Sequence, residues 1–114
     1  MNVSGLPWRP AVISLQRIDS YGRPGRLLPV ATTRPAARAE SGVWYGFAIA
    51  ADLDTIGVGE SVGVHVSFLD EEGARQAFES GTPIPFGDGV ILRGTLVLTP
   101  QEETTFVSAD RNPD

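Results

Sequence analysis

Cysteine and lysine are both missing from this chain of 114 residues, and histidine and methionine occur once each. Without cysteine there are no disulfide staples and no thiolate metal sites, and a reducing cytoplasm is the expected compartment. With His65 as the single imidazole, only oxygen ligands remain for a metal, and "DEEG" (Asp70 to Gly73) lacks the alternate-residue ligands of a calcium loop. Long apolar runs are missing too. The longest nearly apolar stretch, "GVWYGFAIAA" (Gly42 to Ala51), is half the roughly 20 residues of a membrane helix, so no membrane span is expected. The start, "MNVSGLPWRP", has no charged n-region leading into an apolar core and does not read as a secretory signal.

The absence of lysine leaves arginine as the whole basic complement of nine, against fourteen acids, for a net charge of -5. Arginine's planar fork suits carboxylate and phosphate, but the plain reading is codon bias in a GC-rich bacterial genome. The charges are unevenly placed. Residues 1 to 50 carry six arginines against Asp19 and Glu40, a balance of +4, and residues 51 to 114 carry three against twelve acids, or -9. The stretch "RPGRLLPVATTRPAAR" concentrates the asymmetry, with Arg23, Arg26, Arg34 and Arg38, three prolines and no acid. Tyr21 is the ring nearest to it.

What is present in quantity is alternation. In "SVGVHVSF", Val62, Val64, Val66 and Phe68 share one face and Ser61, Gly63, His65 and Ser67 the other, as in a half-buried strand. "VWYGFAIA" sets Tyr45, Phe47 and Ile49 against Trp44, Gly46 and Ala48. "GVILRGTLVL" sets Val90, Leu92, Leu96 and Leu98, with Gly94 among them, against Ile91, Arg93, Thr95 and Val97. "AVISLQRI" (Ala11 to Ile18) is a weaker fourth strand. "RLLPV", "PIPF" and "TTFVS" are marginal, and their prolines confine the first two to edges or bulges. Asp88-Gly89 has the chemistry of a two-residue hairpin turn.

One helix interrupts the strands. In "DEEGARQAFESG", Asp70 caps, Glu71 and Glu72 suit the first turn, Ala74, Ala77 and Phe78 share a face, and Gly81 stops it. Strands with one short helix point to an all-β fold, a small barrel closed on itself. With 41% hydrophobic residues the chain makes one globular domain, expected over residues 10–108. A segment 1–9 precedes it, an unpatterned loop runs through about 20–42, and a tail follows at 109–114.

No catalytic constellation stands out. A lone His65 on a strand face has no partner motif for nucleophilic chemistry, and "GVGESVG" leads into a strand where a dinucleotide loop would open a helix. No P-loop, cofactor motif or small-molecule substrate is indicated, so the chain is expected to be non-catalytic. The basic stretch lacks interleaved aromatics, and the acidic remainder opposes approach to nucleic acid.

Several motifs form a recognisable order. A turn Gly59 to Val62 enters the strand Val62 to Phe68; a helical turn at Asp70 to Ser80 follows, then Gly81, Ile84, Phe86, Asp88 and Gly89, and Gly94 in the last strand. Upstream stand Tyr21-Gly22-Arg23 and Arg34-Pro35. Over roughly residues 10–98 this resembles the third-domain β-barrel of elongation factor Tu. The resemblance implies a small closed six-stranded antiparallel β-barrel, here standing alone. In the full factor this domain helps to bind the aminoacyl-tRNA arm and the exchange factor. Two kinds of partner are therefore expected for the loop bearing Tyr21, Arg23, Arg26, Arg34 and Arg38. The first is a protein, including a second copy of the chain; the alternative is structured RNA. Fold carries over from such a likeness better than function.

Overall fold

The computed structural model describes residues 8–99. Eight strands and one helix follow one another: β1 (Arg9–Leu15), β2 (Leu28–Pro29), β3 (Ala36–Arg38), β4 (Trp44–Ala50), β5 (Thr55–Ile56), β6 (Ser61–Phe68), α1 (Glu71–Ala77), β7 (Ile84–Gly87) and β8 (Leu92–Leu98). Six of them close an antiparallel barrel in the order β1-β6-β4-β3-β7-β8, with β8 pairing back onto β1. β2 and β5 form a separate two-stranded ribbon, Leu28 opposite Ile56.

The alternation read from the sequence sets the register, because a slip by one residue would turn every apolar side chain outward. Ile13 stands between Val62 and Leu96, Phe47 opposite Phe68, and Ile49 opposite Val66. The inward positions Ile13, Phe47, Val66, Phe68, Phe86, Leu96 and Leu98 are almost completely buried. The rings form a continuous chain. Phe47 meets Phe68 at 5.5 Å and Phe86 edge-on at 6.0 Å, Phe68 stacks on Phe78 at 5.7 Å, and Phe78 takes the edge of Tyr45 at 5.5 Å. Such pairs each add about 1 kcal/mol beyond the area they bury.

The helix forms where its cap lies: the Asp70 carboxylate accepts the Gly73 N–H at 3.0 Å, and Glu71 bridges to Arg75. Ala74 and Phe78 pack inward as expected, but Ala77 is exposed, and the helix ends at Ala77 with Phe78 already extended, four residues before the expected stop at Gly81.

Several expectations need correction. The span 20–42 is not one loop, because Ala36–Arg38 is a barrel strand with Ala37 fully buried. Its three residues are too few to display a period. "RLLPV" supplies an edge strand as expected, in the two-stranded ribbon, whereas "PIPF" is a stave of the barrel with a strand on each side and not an edge strand. Pro85 is tolerated there because the β3 ladder ends at Ala37 and Phe86, so the proline has a paired neighbour only in β8. A register shift between Phe86 and Gly87 follows it. The first strand already starts at Arg9 and ends at Leu15, leaving Ile18 exposed in an isolated bridge to Pro24. The β7–β8 hairpin turns through Asp88 to Ile91, wider than two residues, and Val90 is exposed at its tip. "TTFVS" and the tail 109–114 lie outside the described residues.

No helix among the described residues is long and apolar enough to cross a membrane.

Candidate functional site, an arginine-lined cleft

Two turns at one end of the barrel are built on aspartates. Asp19 Oδ1 accepts the N–H groups of Tyr21 (2.8 Å) and Arg23 (3.0 Å), and Gly22, at φ +81°, closes the turn with its N–H on the Asp19 carbonyl. Positive φ suits glycine, which has no Cβ to clash. Ser20 ties this turn to the first residue of β8, donating its N–H to the Leu92 carbonyl and accepting the Leu92 N–H on Oγ. In the second turn Asp88 Oδ1 accepts from Ile91 (2.9 Å) and Val90 (3.2 Å), and its Oδ2 faces Arg93 Nη2 at 3.2 Å. Both carboxyls are held below the ordinary value of 3.8. For Asp19 the backbone N–H of Arg23 is the main cause and that of Tyr21 adds to it; for Asp88 it is the N–H of Ile91, then those of Val90 and the Arg93 guanidinium, against a desolvation that raises both.

Between these turns and the segment Arg26 to Pro35 lies a cleft of about 270 Å³. Arg26 and Arg34 line it from the segment, Arg93 from β8 and Asp88 from the hairpin, over an apolar floor that includes Leu28 and Phe86. A second groove continues from it past Asp19, Arg23 and Ile91, sharing Arg26 and Arg93. The Arg23 guanidinium lies over the Tyr21 ring, 5.3 Å from its centre. Arg34 Nη1 donates to the neighbouring Thr33 carbonyl at 3.0 Å.

Of the five residues singled out by sequence, the fold brings Tyr21, Arg23, Arg26 and Arg34 to this end. Arg38 is not with them. It ends β3 opposite Trp44, 6.0 Å over that ring, and borders a different depression against α1 and β7 where Glu40 and Glu79 also lie. β3 separates Arg34 from Arg38, which a reading of the stretch as one loop could not anticipate. Arg93 was missed as a site residue. Its outward parity in β8 was legible, and the acid five positions before it was the remaining signal.

His65 sits on the outer face of β6 between Pro10 and Ala50, exposed. Among the described residues no group of three histidine or acidic side chains could hold a metal ion. Guanidinium forks over an apolar floor bind anions and orient them; they supply neither a base nor a nucleophile. No family model, curated protein or solved structure matches the chain.

Proposed function

We propose that the protein is a non-catalytic interaction module that binds a protein partner through the face formed by Tyr21, Arg23, Arg26, Arg34 and Arg93. The observation that carries this reading is the company the arginines keep. Ile18 (60% exposed), Tyr21 (58%), Leu27 (55%) and Val90 (68%) belong to the same turns and segment. Arginine and tyrosine are the residues enriched at the centres of protein interfaces, and the exposed aliphatic side chains beside them add apolar area to bury. Structured RNA is less well served: the face offers one exposed ring for stacking, and the molecule's net charge of -5 opposes a polyanion. Kinship with the translation-factor barrel belongs to the same proposal and is supported by the motif order and the six-stranded closure.

The test is affinity capture from the source cell's lysate with the wild-type chain and with R23A/R26A/R34A/R93A, each with and without nuclease. Partners that survive nuclease and are lost with the variant support the reading. Retention of every partner by the variant, or loss of all partners after nuclease, overturns it. Ionic strength gives an independent check, since binding through many phosphates falls by orders of magnitude between about 50 and 200 mM salt.

A further inference from the structure

The Arg26–Arg34–Arg93 cleft contains an acid of its own, and the geometry of that acid bears on what else can enter. Resting on the interaction-module reading, we infer that the cleft takes an extended polypeptide segment bearing anionic side chains, carboxylate or phosphoester, and that Asp88 is a built-in competitor for Arg93 that limits how tightly such a segment is held.

Three observations lead there. Arg26 makes no ion pair or hydrogen bond with any described residue, and Arg34 donates only to the carbonyl beside it, so two guanidinium groups line the cleft with no carboxylate paired to either. Guanidinium forks match carboxylate and phosphoester oxygens in a bidentate manner. Second, the floor cannot stack a nucleobase. Phe86 is its aromatic residue and is fully buried, whereas Leu27 at the rim is exposed and offers contact to an aliphatic neighbour of the anion. A mixed acidic and aliphatic peptide satisfies both surfaces.

Third, the third fork is already occupied. Asp88 Oδ2 marks where an anionic oxygen sits against Arg93, and swinging the side chain aside would break the two backbone N–H bonds that Oδ1 accepts. An incoming anion therefore shares Arg93 with a fixed negative charge or gives up that contact. Asp88→Asn separates the two roles. Asparagine keeps the Oδ1 acceptor that builds the turn and puts an amide, a donor, where the competing oxygen was.

The experiment titrates the full chain into three fluorescent probes: a synthetic glutamate–leucine peptide, its phosphoserine–leucine counterpart and a single-stranded RNA oligonucleotide. At least one peptide should bind the wild type, and the tighter of the two identifies the anion. D88N should tighten that binding about fivefold, as expected for one charge pair at a partly exposed site, and R26A/R34A should weaken it at least about tenfold. Thermal melting of each variant establishes that it folds. The inference is overturned if neither peptide binds, if D88N folds and leaves affinity unchanged or weaker, or if RNA binds more tightly than both peptides. If the lysate partner depends on the arginines while neither peptide binds, the module reading stands and this inference falls. If a peptide binds as described while the lysate partner ignores the arginines, the module reading falls and the cleft remains an anion site.

Discussion

Gly94 and Gly63 show how differently two strand glycines can act. Gly94 faces inward between β1 and the Phe86 ring, and an added Cβ would collide with the Ser14 carbonyl and come within 2.9 Å of that ring. Neither backbone nor a fully buried phenyl can yield cheaply. Gly94→Ala is expected to cost about 3 kcal/mol, at the upper end for overpacking, and to lower Tm by more than about 10 °C. On the outer face of β6 nothing lies within 4 Å of the Cβ that Gly63→Ala would add. That change should leave Tm unaltered or raise it slightly, since alanine loses less chain entropy than glycine on folding. Thermal denaturation of the two variants side by side is the check. The inward parity of Gly94 was legible in "GVILRGTLVL"; the carbonyl that makes glycine necessary there belongs to a residue eighty positions earlier, beyond the reach of any local pattern.

At the scale of elements, the long strands and the helix were legible because each carries a full period of its own: β4, β6 and β8 alternate over seven or eight residues, and α1 has its cap and acidic first turn. β2, β3 and β5 have two or three residues and take their conformation from the partner they pair with. The two aspartate turns lie between these cases. Asp88-Gly89 looked like the chemistry of a two-residue turn and Asp19 carried no such signal, yet in both turns the aspartate carboxylate holds the backbone N–H groups that define the shape. A pH dependence follows. Asp19 and Asp88 have folded values below the ordinary 3.8, so their contribution is fully present above that value and is lost as the pH falls through the folded values. Between neutral pH and about pH 3, the wild type should lose more of its Tm than D19N/D88N, whose turns carry no titrating group. An equal loss in both would show that these turns do not couple protonation to folding.

The whole molecule separates what sequence can and cannot supply about a site. Arginines 23, 26 and 34 were visible as a charge cluster, but β8 delivers Arg93 to the cleft beside Arg26 and Arg34 from the other end of the chain, while β3 places Arg38 opposite Trp44. Pairing across the barrel decided both. The charge imbalance between the halves of the chain translates only in part into space, since Asp19 and Asp88 are built into the arginine face itself.

β3 also has a consequence for motion. It joins β4 to β7 with three residues, where the ladder between β1 and β6 runs over six pairs. A cylinder held together this unequally has a seam, and local opening begins where the fewest bonds must break. Hydrogen exchange should show the amides of Ala36 and Ala37 exchanging faster than those of Val12 and Ile13; equal protection would mean the cylinder opens only as a whole. Arg34 and Pro35 lead directly into that seam and also wall the cleft. A ligand that fastens Arg34 thereby acts as a clasp, and its binding should be readable as slowed exchange along β3, away from any atom it touches.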